Sequence, residues 1–445
     1  MAHIITITDG TNTVTLTSGT TYQVHEYDPK VPELDDQAAG QVSETLEISV
    51  FGATGAIVQT NVTAIERLLE AARRRNAIGA GPRVYLTLQI DGEAAASRSE
   101  IIDARIEPGE LMLRLWPNKM CQANLYIVRR AYWEGALTQL PLTNGNGTNN
   151  TSGLTIYNQD ASGVLDNYVQ IAAADVTGAI PAPVKFELTN STGSAQTYQE
   201  IFAATNAFCD PANFTPIIEA ESVYTSGGSS AADAACSGGN YHTLTGTDGM
   251  TAYYNLAATL LQKAAGHDFH VLMRMRNAFA AYVRPSIITS ESTPSAGITL
   301  RRGDELQYTL TSQALLDLGV MPLPPGGYST AWAAQRLKLV WRGSGSLTAQ
   351  VDYFAFFPAV AFRRLQVLTG LANGGSITDD PLEDRAFCTV SAVESPWVVR
   401  KNQPVMVWPN TLQRILFLWS LADHSAPIGQ TFTVKAWYRP RKYGF

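Results

Sequence analysis

Few residues of this chain have the type and spacing for chemistry, and most fail on geometry. The histidine cluster is His267-Asp268-Phe269-His270. On a strand, positions three apart point to opposite faces, so these two imidazoles cannot share a metal ion. Paired carboxylates occur at Asp35-Asp36, Asp379-Asp380 and Glu383-Asp384, in polar, turn-like stretches that read as solvated loops. A glycosidase needs two carboxyl groups opposed across a cleft, which adjacency in sequence does not supply. The sequence has no Gly-x-Ser-x-Gly elbow, phosphate-binding loop or His-Glu-x-x-His helix. Cys121, Cys209, Cys236 and Cys388 are too dispersed for a disulfide scaffold or a Cys-x-x-Cys zinc site. Cys209 and Cys236 bracket one expected strand and stand either as a bonded pair or as buried free thiols. No residue set presents itself for catalysis, and the chain is expected not to be an enzyme.

The elements that would position any site are mainly strands. Ile4 to Thr8, a turn at Asp9-Gly10, and Val14 to Thr17 read as a hairpin, and Thr45 to Phe51 alternates as cleanly. One helix is expected from about Gln59 to Asn76. Val58, Val62, Ile65, Leu68, Leu69 and Ala72 form one stripe there, arginines fill the last turn, and Gly79 stops it. Strands resume at Val84 and continue through Asn124 to Val128, with another at Leu111 to Trp116. Pro141 to Gly153, rich in Asn, Gly and Thr, reads as a flexible linker. Many short strands with Gly, Pro and Ser punctuation then run to about Pro358, the pattern of a sandwich or jelly roll. The expected division is a β-domain with one helix over 1–140, a linker over 141–153, a β-sandwich over 154–360 and a β segment over 361–445. That last segment could complete the second sandwich, form a third domain or return to the first.

At 445 residues the chain is too long for one core, so several domains are expected. Charged residues are only 16%, low for a soluble protein, and suit surfaces packed against copies of the same chain. The net charge of −7 argues against duplex nucleic acid as a partner, and no sequence-specific nucleic-acid binding is expected. Arg73 to Arg75, Arg301-Arg302 and Arg439 to Lys442 are short basic runs. The opening Met1-Ala2-His3-Ile4-Ile5-Thr6 lacks a basic region followed by an apolar one. Folding in the producer's cytoplasm, without export signal or membrane insertion, is the expectation.

The middle of the chain resembles a known family. Ile218-Glu219-Ala220-Glu221-Ser222-Val223-Tyr224 resembles the opening strand of carbohydrate-binding-module jelly rolls that begin Glu-Ala-Glu. Arg336 to Trp341, the turn at Gly343 to Gly345, and Val351-Asp352-Tyr353-Phe354-Ala355-Phe356 are similar to their closing strands, and His270 to Asn277 to a central strand. The resemblance implies a structural calcium held by acids matching Glu219, Glu221 and Asp352, a hard-oxygen set that backbone carbonyls would complete. It also implies a sugar-contacting aromatic platform, for which Tyr241, Tyr328 and Trp332 are the candidates. Trp341 and Phe354 lie within regular strands and read as core.

In element order, the first 140 residues resemble the tail-tube and distal-tail proteins of bacteriophages: strands, a single helix, further strands. That resemblance implies a virion structural protein, assembled in the host cytoplasm as a cyclic three- or sixfold homo-oligomer beside other tail proteins, its jelly roll turned to host surface glycans. The basic, aromatic Trp437 to Phe445 would suit docking on a neighbouring subunit. The alternative reading is a monomeric carbohydrate-binding-module protein, or the non-catalytic part of a glycoside hydrolase system.

Overall fold

The computed structural model describes residues 3–444 apart from 109–118, 150–151, 160–166, 208, 210–215, 257–259, 261–266, 290–297, 311–312, 324–334 and 424. The chain is mainly β, as its alternating patterns imply. It forms two compact units, each discontinuous in sequence. Unit 1 comprises Met1–Thr138, Thr177–Ala182 and Arg439–Phe445, and unit 2 comprises Gln139–Val176 and Pro183–Tyr438.

In unit 1, β1 (Ile4–Thr8), β2 (Thr13–Thr15), β3 (Tyr22–Glu26), β4 (Gln41–Phe51), β5 (Tyr85–Gln89), β6 (Ser97–Pro108) and β7 (Met120–Arg130) form an antiparallel sheet in the order β2-β1-β5-β6-β7-β4-β3. β8 (Trp133–Glu134) attaches to β6 and to the two-residue strand Arg441–Lys442. The β1–β2 turn is held by the Asp9 carboxylate, which accepts from the backbone amides of Thr11 at 2.8 Å and Asn12 at 2.6 Å. The expected helix is present as Gly55–Ile78, and its buried residues are the six of the stripe. Thr54 caps it, its hydroxyl accepting from the Ile57 amide at 3.3 Å. Those side chains share a core with Leu46, Ile48, Val50, Leu125 and Ile127 of the sheet. A second, short helix, Leu34–Ala39, was not expected. Asp35 and Asp36 form its first turn rather than a loop, where acids offset the helix dipole. The Leu111 to Trp116 strand expectation lies outside the described residues.

Unit 2 holds four large sheets. An eight-stranded and a seven-stranded sheet pack face to face, with Phe186 against Phe417 at 5.7 Å and Tyr198 against Phe432 at 4.7 Å between ring centroids. Their strands come from 138–205 and 362–438. Two six-stranded sheets, built from Ile217–Pro358, pack on each other through contacts such as Tyr254 to Phe354 at 4.7 Å.

These pairings correct the expected boundaries. Pro141 to Gly153 is not a featureless linker: Leu142–Asn144 and Gly147–Asn149 pair as a hairpin, and Thr143 pairs with Gln170. Its Asn and Thr residues satisfy backbone groups, as Asn144 does by donating to the Thr155 carbonyl at 2.9 Å and the Tyr168 carbonyl at 3.1 Å. The second sandwich starts near 217, not at 154. Nor is 361–445 a separate segment. Gln413–Leu421 lies between Tyr168–Ile171 and Gln196–Thr205, and Thr431–Tyr438 between Leu154–Tyr157 and Lys185–Asn190. Gln196–Thr205 also pairs directly with Phe362–Val367, so 217–358 is an insertion between two neighbouring strands. Among the described residues no helix is long and apolar enough to cross a membrane.

Candidate functional site

The inserted sandwich brings Glu219, Glu221 and Asp352 into one electrostatic cluster, around an arginine that the sequence reading did not single out. Asp352 lies on strand Leu347–Pro358 and Arg274 on its neighbour Asp268–Met275, and both are fully buried. Arg274 donates through Nη1 to Asp352 Oδ2. Its remaining donors reach the Ala426 carbonyl from Nε at 2.7 Å, and the Ala235 carbonyl and Gln313 Oε1 from Nη2 at 3.1 and 2.8 Å. A guanidinium so placed stays charged, because its buried carboxylate partner outweighs the cost of burial.

The glutamates enter from a different local structure than expected. Ile217–Glu219 pairs with the Asp352 strand, but Ala220–Val223 is a single helical turn, so Glu-Ala-Glu does not continue as a strand. The turn Ser237–Gly239 closes over the acids. The Ser237 amide donates to Asp352 Oδ2 at 3.3 Å and its hydroxyl to Glu219 Oε1 at 2.5 Å, while Gln159 donates to that hydroxyl at 3.0 Å. Gly238 has φ +62°, and a Cβ there would stand 3.6 Å from Glu221 Oε1. Position 238 thus favours glycine for its left-handed backbone, while a Cβ would meet the acid only at ordinary contact distance.

One oxygen of each acid remains buried without a hydrogen-bond partner: Glu219 Oε2, Glu221 Oε2 and Asp352 Oδ1. Burial pushes Glu219 up to about 7, with the Glu221 charge adding to it against the Ser237 hydrogen bond. Burial likewise raises Asp352 to about 7 although Arg274 pulls it down, and it raises Glu221. The cluster holds more negative charge than Arg274 neutralises, so it takes up either protons or a cation. The three orphaned carboxylate oxygens fit a hard cation in donor type. Among the described residues, however, no group of three His, Cys, Asp or Glu stands as a ready-made metal site.

The other sequence candidates fare differently. Tyr241 is half-buried on strand Asn240–Gly246, its hydroxyl accepting from Gln350 Nε2 at 3.4 Å, and Tyr328 and Trp332 lie outside the described residues. Trp341 and Phe354 are core, as expected. Cys209 and Cys236 are not bonded: all four cysteines are buried free thiols, and burial pushes both of these up to about 12. His270 stacks on Phe362 at 3.7 Å and faces Asp317 at 3.4 Å. Asp379 and Asp380 are not solvated loop acids but buried strand residues, paired with Arg363 at 2.8 Å and Lys185 at 3.1 Å. Arg274 did leave a signal. It is the single charge in Val271-Leu272-Met273-Arg274-Met275, and a charge inside an apolar strand must find a partner.

No protein-family model matches the chain, and no curated protein matches it. Among solved structures it is similar to the SPP1 Dit protein, described as a paradigm of the hub adsorption apparatus in phages infecting Gram-positive hosts. That likeness has 9% identity over 99% of both chains and a TM-score of 0.31. A chain of the phage P2 baseplate, in its activated conformation with Ca, is similar at 10% identity over 99% of this chain and 98% of that one, with a TM-score of 0.27. An exo-β-1,3-galactanase from Phanerochaete chrysosporium is similar at 12% identity over 76% of this chain and 84% of that one, with a TM-score of 0.19.

Proposed function

We propose that this chain is a non-enzymatic structural protein of a bacteriophage tail, incorporated in the virion. In this reading unit 1 closes with copies of itself into a ring of three- or sixfold symmetry and binds other tail proteins. The observation that carries the reading is the architecture of unit 1. A long antiparallel sheet is covered by one 24-residue helix, and its strand order ends at β2 and β3. Among the described residues each of these end strands pairs on one side only, which leaves backbone donors and acceptors for a neighbouring copy. The low charged content fits surfaces covered by identical partners. Size-exclusion chromatography with light scattering, followed by electron microscopy, tests it: discrete rings or tubes are expected, and a monomer at all concentrations would overturn it.

For the inserted sandwich we propose a decorating role with a calcium ion held by Glu219, Glu221 and Asp352, supported by their three orphaned buried oxygens. The ion would supply the positive charge the cluster lacks. Titration calorimetry with calcium, repeated on Glu221→Gln, checks this; heat unchanged by the substitution would remove these acids from any site. Host-glycan contact through Tyr241 belongs to the same reading, and a glycan array with Tyr241→Ala tests it. A monomer that binds sugar tightly would favour the alternative of a carbohydrate-binding-module protein.

A further inference from the structure

Unit 1 starts at the beginning of the sequence, yet its last strand comes from residues beyond 438, after all of unit 2 has been traversed. The contacts of that strand are specific. Arg441–Lys442 pairs with β8, the side of β8 opposite β6. The Pro440 carbonyl accepts from the Gly135 amide at 2.8 Å, and the Arg441 carbonyl from the Ala179 amide at 2.7 Å. Arg439 donates to the Gly135 carbonyl at 2.9 Å.

The side chains repeat the arrangement. Glu134 is 9% exposed on its side chain and sits between two guanidinium groups. Arg441 reaches its Oε1 from Nε at 3.0 Å and Nη2 at 2.6 Å, while Arg98 of β6 reaches Oε2 at 3.3 Å. Arg441 also lies over the Tyr132 ring, 4.1 Å from its centroid. The third segment of the unit is fitted to the same residue. Gly178 has φ +109°, and a Cβ there would fall 2.7 Å from the Arg441 carbonyl oxygen. Three pieces of chain, from before, within and after unit 2, thus meet at Arg441.

We propose that residues 439–444 are a clasp that closes unit 1 last, so that the β8 edge stays open until unit 2 has been made. Without the clasp, β8 loses one of its two neighbours and Glu134 keeps only Arg98, a half-satisfied, nearly buried charge. Arg439 and Arg441 of this basic run are thus engaged inside their own chain. The device is independent of the phage-tail reading, because it concerns the order in which one chain closes.

Hydrogen exchange on the full chain, on a chain ending at Tyr438, and on Gly178→Ala tests it. Cutting after Tyr438 leaves every strand of unit 2 in place. Exchange at the Gly135 amide is expected to accelerate about tenfold or more in the truncated chain, and at the Gly135 and Ala179 amides in Gly178→Ala, while amides of Gln413–Leu421 keep their protection. Unchanged exchange at Gly135 in both variants would overturn the clasp. So would acceleration of Gln413–Leu421 in parallel, since that would mark global loosening rather than a local latch.

Discussion

Unit 1 buries the pair Arg129–Glu44 and unit 2 the pair Arg274–Asp352, and the two are finished differently. In unit 1, Glu44 accepts from Arg129 and the Lys30 amide on Oε1 and from the Tyr27 hydroxyl on Oε2, at 2.8 Å and 2.7 Å for the last two. Arg129 lies over the Trp133 ring, 4.4 Å from its centroid. Both oxygens are satisfied and the charges match one to one. In unit 2, Asp352 has one oxygen on Arg274 and Ser237 and the other on nothing, with Glu219 and Glu221 beside it. The carboxylate of the first centre is fully met, although Arg129 Nε is buried without a partner, and the pair reads as structure. The second carries surplus negative charge, and that surplus, rather than burial as such, sets it apart from a pair matched one to one.

The contrast can be broken most directly by removing each arginine. Arg274→Met leaves Asp352 with a single backbone donor among other acids, and urea unfolding of unit 2 is expected to lose about 3–5 kcal/mol. Arg129→Met should cost less, because Glu44 keeps Tyr27 and Lys30; an equal or larger loss would erase the distinction. Next comes pH. Glu219 and Asp352 are raised to about 7 and Asp379, buried beside Arg363, to about 6. The folded state therefore binds more protons than the unfolded chain, whose carboxyls titrate near 4, and stability falls as pH rises through that interval. In chelator, the melting temperature of unit 2 is expected to drop by several degrees between about pH 5 and pH 8, at about 2–4 °C per kcal/mol. Calcium should reverse the part due to Glu219 and Asp352. Calorimetric scans across pH check both signs.

Smaller effects sharpen the same comparison. Tyr27→Phe removes a hydrogen bond to a charged acceptor and is expected to destabilise unit 1 by about 1.5–3 kcal/mol. Glu219→Gln, the smallest, should shift unit 2 by under about 1 kcal/mol in chelator and in the stabilising direction, since it removes one of three crowded acids. Chemical denaturation of each variant decides; destabilisation by Glu219→Gln would mean the cluster is already balanced.

What was legible in the sequence follows the range of the interactions. The stripe from Val58 to Ala72 and the alternation of β4 are short-range patterns, and both elements formed as read. Strand partners more than 200 residues apart leave no such mark, so Gln413–Leu421 beside Gln196–Thr205 could not be read from either segment. Asn144 misled because an amide that solvates a loop in one setting holds two backbone carbonyls in another. Glu219, Glu221 and Asp352 were named from a family likeness, while Arg274 announced only that it needed a partner, not which one, because Asp352 lies 78 residues away. Asp379 and Asp380 looked solvated because neither partner, Arg363 sixteen residues earlier nor Lys185 in another strand, stands beside them in sequence.

The insertion leaves and re-enters through two strands that already hold each other, Glu200 opposite Gln366 through Ala204 opposite Phe362. The host sandwich does not depend on its guest to join those strands, so a short turn could reconnect them. That makes the site a socket, open to exchange of one cassette for another with closely spaced ends. A replacement would still have to match Arg274's hold on the Ala426 carbonyl, Ser237's on Gln159 and the stacking of His270 on Phe362, contacts by which the present guest is tied down.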